Sequence, residues 1–318
     1  MLFTSYNFIL FLIAVFALYY IIPGKYQWIL LLAASFVFYS FSGWDNVAYI
    51  TVTIIVTYLG AVRIGKLYRQ QEEWLKENRE KLSREEKKAF RERIKSRQKK
   101  CLVFCLLFDL GILAVLKYTN FVISNINSTA RLFNAGEISF LDIALPLGIS
   151  FYTFQAVGYL VDVYRGKYPP EENLGKFALF VSFFPQLVQG PISRFDDLGK
   201  QLYEGHDFDA KNVSLGIQRI LWGFFKKLVI ADRIMPVVRT ITQDPDTYQG
   251  VFVLVGMVFY AVQLYADFTG GIDITIGIAE VLGIRLKENF ERPFFSKSTA
   301  EYWRRWHITM GTWFRDYV

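Results

Sequence analysis

The sequence predicts an all-α polytopic membrane protein, and three observations lead to this fold class. Hydrophobic residues make up 53% of the chain and aromatic residues 18%, which is high for a soluble domain. Long apolar runs recur from Phe8 to Ile284, and the longest approach the ~20 residues that a helix needs to cross a bilayer core. The excess positive charge is confined to one segment between two such runs. We treat residues 1–318 as a single membrane domain.

Three apolar runs in the first sixty residues predict three membrane crossings. They are FILFLIAVFALYYII (8–22), WILLLAASFVFYSF (28–41) and VAYITVTIIVTYLGAV (47–62). The first run lacks a basic flank and a small-residue cleavage site, and another run follows it at once. We therefore interpret it as a retained helix and not as a signal peptide.

The basic segment spans residues 63–100 and holds 15 Lys and Arg against 7 Glu, while the rest of the chain is nearly neutral. A basic segment directly after a membrane span indicates the cytoplasmic side. We expect a cytoplasmic loop here and, after three crossings, an N-terminus outside. Its pairs Glu72/Lys76, Glu77/Lys81 and Glu80/Arg84 are spaced at i,i+4 in the favourable order, which predicts a solvated helix beside anionic lipid headgroups. No nucleic-acid partner is expected.

The next apolar run, residues 101–118, contains both cysteines of the chain, Cys101 and Cys105. They are four residues apart on one helical face, and no other residues complete a metal-ligand pattern with them. We expect them to pack as small apolar side chains, and we predict no metal site.

Beyond residue 120 the apolar runs are interrupted by Gly, Pro, Gln and Asp. The runs span residues 140–166, 176–192, 213–234 and 251–284. Irregular backbone at membrane depth persists only where protein covers it or water lines it. These segments therefore predict an internal cavity, a pore or a re-entrant site.

Two acidic residues lie inside the last of these runs. Asp267 and Asp273 flank Gly270 and Gly271, a glycine pair that predicts an interrupted helix. A carboxylate at this depth is costly and is a candidate functional group. The alternative is an Asp that caps a half-helix by accepting backbone N–H bonds.

Other polar residues in the interrupted runs have structural interpretations. Gln186 and Gln189 flank a proline-rich break and are expected to satisfy its backbone. Lys226 and Lys227 are expected to anchor a helix at the membrane interface. His206 lies in a polar stretch and is expected to be a solvated loop residue.

The closing stretch EYWRRWHITMGTWFRDYV (301–318) contains the second histidine, His307. On one continuous helix of about 100° per residue, His307 lies at the edge of an aromatic sector, beside Arg304, Gly311 and Arg315. Burial and nearby cations would both keep its imidazole neutral near pH 7, which suits a general base. An amphipathic helix on the membrane surface is the alternative.

Six motifs follow one another along the chain. They are PLGISFYTFQAVGYLVDVYRG, FFPQLVQGPI, GFFKKLVIADR, YADFTGG, IRLKENFERPFFSKS and EYWRRWHITMGTWFRDYV. In this order they resemble the membrane-bound O-acyltransferase family, and within it the bacterial alginate O-acetyltransferase membrane subunits and related D-alanyl transfer proteins. The similarity covers nearly the whole chain.

The resemblance implies a ring of transmembrane and broken or re-entrant helices around a central tunnel. It implies a multi-pass protein of the bacterial cytoplasmic membrane that delivers an activated acyl group to an extracytoplasmic polysaccharide or cell-wall polymer. The expected donor is acetyl-CoA or an acyl-carrier thioester, with no bound cofactor, and the expected partner is an extracytoplasmic acetyltransferase. Acetyl, D-alanyl or longer acyl groups stay open, as do alginate, cellulose, peptidoglycan and teichoic acid as acceptors.

The resemblance also assigns residues. The family's WxRWH-type histidine matches His307, which is the expected catalytic residue. Asp267 matches a DFSG-like aspartate, although this chain reads DFTGG. The expected donor-binding residues are Arg304, Arg305, Arg315, Asp316 and Asp267.

Family members carry a second histidine downstream of this motif, whereas the sequence ends at Val318. This leads to the expectation that the chain is truncated at its C-terminus and is inactive in this form. Two other classes stay open: a transporter or flippase for an acyl or polymer intermediate, and a non-catalytic scaffold for an extracytoplasmic transferase.

Overall fold

The structure is a computed structural model that describes residues 3–78, 83–133, 136–142 and 145–318. The α-helices of these ranges are α1 (Tyr6–Ile21), α2 (Gly24–Ser40), α3 (Trp44–Glu77), α4 (Arg84–Leu132), α5 (Ile149–Tyr164), α6 (Leu174–Ser182), α7 (Phe184–Gln189), α8 (Phe195–Tyr203), α9 (Ala210–Phe224), α10 (Asp232–Gln243), α11 (Val251–Val281), α12 (Thr299–Arg305) and α13 (Ile308–Tyr317). A π-helix (Phe225–Ala231) joins α9 to α10, and a 3-10 turn (Pro293–Phe295) precedes α12.

Three helices are long and apolar enough to cross a membrane, namely α3, α4 and α11, and α1 is a shorter apolar helix. The predicted all-α polytopic membrane class is confirmed in the described ranges, where extended pairing is limited to an isolated bridge. The predicted ring and central tunnel stay predictions. The chain divides into two compact units, residues 42–181 and residues 1–41 with 182–318.

In the unit of residues 42–181, the described part of the basic segment is largely helical, as its Glu and Lys spacing predicts. α3 continues to Glu77 and α4 begins at Arg84. Ser83 and Glu86 exchange two side-chain to backbone hydrogen bonds of 3.2 and 2.9 Å, a capping box that starts α4. Residues 79–82 lie outside the described ranges.

The same unit buries polar groups between α3 and α4. The hydroxyl of Thr57 donates a hydrogen bond of 2.8 Å to the carboxylate of Asp109. At Gly60, a Cβ would lie 2.5 Å from the sulfur of Cys105, so glycine permits the close approach of the two helices. Cys101 and Cys105 are free thiols in this contact, which agrees with their predicted role as small packing residues.

In the unit of residues 1–41 and 182–318, α9 and α11 pack closely and antiparallel through glycines. A Cβ at Gly216 would lie 2.7 Å from the carbonyl oxygen of Gly277, and one at Gly223 would lie 2.6 Å from that of Gly270. The two glycines of each helix are seven residues apart, which places them on one face of that helix. We name these four residues the glycine seam.

The glycine seam corrects the prediction of an interrupted helix at Gly270 and Gly271. α11 is continuous from Val251 to Val281. The two glycines serve packing: Gly270 faces the backbone of α9, and a Cβ at Gly271 would collide with the side chain of Gln189. Backbone contact with neighbours, and not a break in hydrogen bonding, explains the glycines.

The proline-flanked helix α7 is held from two sides within this unit. The N–H of Phe184 donates to the hydroxyl of Ser35 on α2 over 3.1 Å. The hydroxyl of Thr275 on α11 lies 2.8 Å from the carbonyl oxygen of Pro185 and 2.9 Å from that of Gln189. Tertiary hydrogen bonds therefore satisfy backbone that a six-residue helix leaves unpaired.

The glycine seam predicts different responses to the same substitution. Gly223→Ala should destabilise the protein by about 1–3 kcal/mol, because the added methyl group overlaps backbone of α11. Gly111→Ala is the matched control, since a Cβ there has no neighbour within 4 Å among the described residues, and alanine favours helix by up to about 1 kcal/mol. Thermal unfolding in detergent measures both variants. Equal midpoints would show that the backbones of α9 and α11 are not in close contact at Gly223.

Candidate active site

The backbone of His307 interrupts the closing helical stretch. α12 ends at Arg305 and α13 begins at Ile308, with His307 between them at φ 47° and ψ 52°. This left-handed conformation is uncommon for residues other than glycine. Among the described residues other than glycine, only Arg292 shares a positive φ, at 48°. Such backbone costs about 1–3 kcal/mol and concentrates at functional sites.

The two strained residues belong to one small tertiary feature, in which residues 289–292 pair with residues 305–309. Phe290 and Trp306 form an isolated antiparallel bridge. The N–H of Glu291 donates to the carbonyl oxygen of Arg305, and the N–H of Ile308 donates to that of Asn289, each over 3.0 Å. We name this pairing the clasp.

The clasp corrects the prediction of one continuous helix over residues 301–318. Trp306 adopts extended backbone to pair with Phe290, so helical geometry ends before His307. Tertiary pairing here overrides the local helical periodicity. The predicted placement of Arg304, Gly311 and Arg315 beside His307 on a shared wheel therefore does not apply.

The imidazole of His307 is enclosed by aromatic rings. Its centroid lies 5.0 Å from that of Phe268, in an edge-to-face arrangement, and 6.3 Å from that of Phe290. Only 8% of the residue is exposed. Burial lowers the pKa of His307 to about 4, and the residue lies outside the candidate spanning helices. The imidazole is therefore neutral at pH 7, as predicted, because of desolvation and not because of arginines.

Asn289 and Thr309 support this backbone, and the sequence analysis missed both. The side-chain oxygen of Asn289 accepts hydrogen bonds of 3.0 Å from the N–H and from the hydroxyl of Thr309. The hydroxyl of Thr309 in turn accepts the N–H of Ile192 over 3.0 Å. The only sequence signal was a polar residue at the start of NFERPFF, within a motif that was read for resemblance alone.

The structure separates the predicted donor-binding arginines. Arg305 pairs with Glu301 at 2.6 Å, one helical turn earlier on α12. Arg304 is exposed. The N-cap of α12 is Ser298, whose hydroxyl accepts the N–H of Glu301 over 3.2 Å. Arg305 is thus engaged within its own helix, whereas Arg304 presents its guanidinium at the surface.

Asp316 and Arg315 lie at the end of α13 and form another group with Arg194. Arg194 donates to the carboxylate of Asp316 over 2.9 Å, and its guanidinium carbon lies 4.2 Å from the ring centroid of Tyr317. Arg315 is largely exposed and lies 3.3 Å from Asp316. The sequence analysis missed Arg194, because its distance along the chain from α13 hid the contact.

Asp267 and Asp273 are both held in ion pairs from the π-helix. Lys227 pairs with Asp267, and Lys226 pairs with Asp273, which Arg219 also contacts at 3.1 Å. The expected role of the two lysines as interface anchors is wrong, since carboxylates of α11 provide internal partners. Neither Asp caps a half-helix, because α11 is continuous.

The glutamines of α7 divide in their roles. Gln189 lies against Gly271. Gln186 is only 4% exposed, and neither atom of its amide has a hydrogen-bond partner among the described residues. The prediction that Gln186 satisfies the broken backbone is wrong, because Ser35 and Thr275 reach that backbone instead.

His206 is more engaged than the predicted solvated loop residue. Its backbone N–H donates to the side-chain oxygen of Gln27 over 2.8 Å. The ring nitrogen Nε2 lies 2.8 Å from the carbonyl oxygen of Gln201. These bonds fix the segment between α8 and α9. His206 therefore has a structural role that the polar composition of its loop did not indicate.

Comparison with known proteins gives a family match in the C-terminal half. Residues 172–318 match the model of the membrane-bound O-acyltransferase family. The whole chain aligns with the "Probable alginate O-acetylase AlgI" of Azotobacter vinelandii at 36% identity and spans 59% of that relative. It thus covers somewhat more than half the length of this relative.

Two further relatives differ in the polymer that their names specify. The peptidoglycan O-acetyltransferase of Helicobacter pylori is 31% identical over 68% of the chain and 45% of its own length. The teichoic acid D-alanyltransferase of Streptococcus thermophilus is 31% identical over 54% of the chain and 43% of its own length. Alginate, peptidoglycan and teichoic acid therefore all occur in the names of proteins similar to this chain.

The buried imidazole predicts a defined pH dependence of stability. An unfolded histidine binds its proton near pH ~6.5, whereas His307 in the folded protein does so only near pH 4. The neutral imidazole therefore contributes roughly 3 kcal/mol to the free energy of unfolding above pH 6.5. This contribution is lost as the pH falls towards 4. His307→Asn, which tolerates left-handed backbone, should flatten this part of the curve. An unchanged acid slope in thermal unfolding of the variant would contradict the assignment.

The ion pair of Asp267 predicts a non-additive effect. Lys227→Met removes the cation that pairs with Asp267 and Asp232 and should destabilise the protein by about 1 kcal/mol, because the carboxylate of Asp267 loses its partner although its side chain stays 29% exposed. Adding Asp267→Asn should recover part of that loss. A double-mutant cycle of unfolding free energies measures the coupling. A coupling near zero would show that Asp267 does not depend on Lys227.

Proposed function

We propose, from the premise that the chain belongs to the membrane-bound O-acyltransferase family, that it acts as a membrane O-acyltransferase, with acetyl as the transferred group. The acceptor is a hydroxyl of an extracytoplasmic polysaccharide or cell-wall polymer. The observation that carries the proposal is the alignment of the entire chain with an alginate O-acetylase, which includes the strained, buried His307. Relatives named for three different polymers support the broad acceptor class.

In the proposed reaction, the neutral imidazole of His307 accepts the proton of the acceptor hydroxyl as its oxygen attacks the thioester carbonyl carbon. A C–O bond forms and the C–S bond breaks. The leaving thiolate then takes the proton from the imidazolium, so the products are an ester and a free thiol. If the acyl group passes first to a residue of the enzyme or of a partner, the reaction occurs as two successive acyl transfers with the same overall products. The dry aromatic surroundings favour the neutral base that this chemistry needs.

The donor is a thioester of coenzyme A or of a carrier protein, and both carry phosphate. Of the predicted donor-binding arginines, Arg304 and Arg315 are exposed and are the better suited to steady that phosphate. Arg305 and Asp316 act by fixing α12 and α13 through their ion pairs. Asp267 acts through Lys227 and not through donor contact.

We place the protein in the bacterial cytoplasmic membrane as a multi-pass protein, with the N-terminus outside and residues 63–100 in the cytoplasm. The charge asymmetry of the sequence supports this orientation. An extracytoplasmic acetyltransferase that passes the acyl group to the polymer is the proposed partner. Donor and acceptor then lie on opposite sides of the bilayer.

The transporter alternative rested on broken helices and on an acidic residue within the membrane. In the structure α11 is continuous, and Asp267 and Asp273 are both paired. These observations reduce the support from α11, although α6 and α7 remain separate short helices. Acyl-independent flux of a polymer intermediate into liposomes remains the measurement that separates a transporter from a transferase.

Replacing His307 by Ala in the full-length protein should reduce polymer acetylation at least 100-fold while leaving the amount of protein in the membrane unchanged, because the proton acceptor is lost. His206→Gln is the matched control and should retain transfer, since the glutamine amide can still reach the carbonyl oxygen of Gln201. Acetyl content of the polymer measures both. Wild-type acetylation in the His307 variant, with equal protein levels, rules out His307 as the catalytic base and supports the scaffold alternative.

A further inference from the structure

The side chain of Asn289 combines complete burial with an unused hydrogen-bond donor. The residue is 0% exposed, and its Nδ2 has no hydrogen-bond partner among the described residues. Buried amide groups are rarely left in this state, and an exception in a native structure calls for an explanation. Asn289 lies in the clasp, directly against the backbone that follows His307.

The orientation of this amide is fixed by its neighbours. The backbone N–H of Thr309 can only donate, so the atom that it meets at 3.0 Å must be the oxygen of Asn289. The hydroxyl of Thr309 accepts the N–H of Ile192, which leaves its own proton to donate to the same oxygen. Rotating the amide by 180° would set Nδ2 against two donors. Nδ2 must therefore be the group that points away from Thr309.

The same contacts place Nδ2 near the backbone that follows His307. Nδ2 is about 2.3 Å from the side-chain oxygen by covalent geometry, and that oxygen is 3.0 Å from the nitrogen of Thr309, so Nδ2 is at most about 5.3 Å from this nitrogen. That nitrogen is two residues from His307, and the carbonyl oxygen of Asn289 also accepts the N–H of Ile308. One residue thus holds the strained turn of His307 and keeps a free N–H beside it.

We propose that Asn289 is a second polar residue of the His307 site, whose side-chain oxygen fixes the turn and whose Nδ2 donates a hydrogen bond to the carbonyl oxygen of the acyl thioester. The inference rests on the proposed acyl transfer. The ligand class is a carbonyl acceptor, because a neutral amide N–H in dry surroundings pairs with oxygen that gains negative charge during attack.

Asn289→Asp separates the two roles, because aspartate keeps an oxygen towards Thr309 and replaces the N–H by a second oxygen. In the full-length protein in membranes, with acetyl-CoA as donor probe, we expect kcat per folded molecule to fall about 100-fold. The folded fraction is measured separately by thermal unfolding, because a buried carboxylate also lowers stability. Asn173→Asp is the matched control, with kcat near wild type, because the side chain of this exposed asparagine pairs within the described residues only through its oxygen, which accepts the N–H of Lys176 over 3.1 Å. Wild-type kcat in Asn289→Asp would overturn the inference.

A pH profile distinguishes donation from mere support of the fold. A protonated aspartate carries an O–H that can replace the lost N–H, and burial raises the pKa of a carboxyl group. The ratio of variant to wild-type kcat should therefore rise as the pH falls from 8 to 5.5. A ratio that does not change with pH would overturn the donor role.

Isotope-edited infrared spectroscopy gives a readout that does not need a folded variant. The carbonyl stretch of ¹³C-acetyl-CoA bound to the wild-type protein should shift to lower frequency than in an apolar solvent, because a donated hydrogen bond weakens the C=O bond. An unshifted band would overturn the inference. If the wild-type protein transfers no acetyl group from any thioester donor, the proposed function fails instead, and this result is distinct from loss of transfer in Asn289→Asp alone.

Discussion

The backbone contact between α9 and α11 is the constraint on which the unit of residues 1–41 and 182–318 depends. Apolar side chains gain little from leaving a lipid surface, so helices in a membrane associate through close packing and polar pairs. The glycine seam supplies the close packing, and the pairs of Lys226 with Asp273 and Lys227 with Asp267 supply the polar contacts. The π-helix that follows α9 holds both lysines against α11.

The candidate active site is built on the fixed helix α11. Phe268 extends from it against His307, and Tyr265 contacts the ring of Trp306 at 6.1 Å. The clasp then holds His307 in left-handed backbone through hydrogen bonds that offset the conformational strain. Packing and strain thus act together to keep a neutral imidazole in one orientation, which is the condition for a general base.

Polar groups in this unit differ in how many of their hydrogen-bonding atoms have partners. This difference distinguishes groups that stabilise the fold from groups that could contact a ligand. Asp267 and Asp273 of α11 have cationic partners and stabilise the helix packing. The amide of Asn289 has a saturated oxygen and an unused nitrogen, beside the one buried histidine of the described residues. Fully paired charges hold the scaffold, whereas the incompletely paired neutral groups are the better candidates for contact with a ligand.

The sequence by itself determined the helical membrane class, the apolar segments, the family resemblance and the choice of His307 as a candidate, because composition, run length and motif order are local properties of the chain. It did not determine the continuity of α11 or the break before His307. Glycine has the same identity whether it ends a helix or permits another backbone to approach, and only the position of α9 decided between them. Likewise the helical periodicity of residues 301–318 was overridden by pairing with residues 289–292, which local sequence cannot reveal. The partners of Asn289 were decided by tertiary structure for the same reason, since Thr309 and Ile192 meet it only when separate segments fold together.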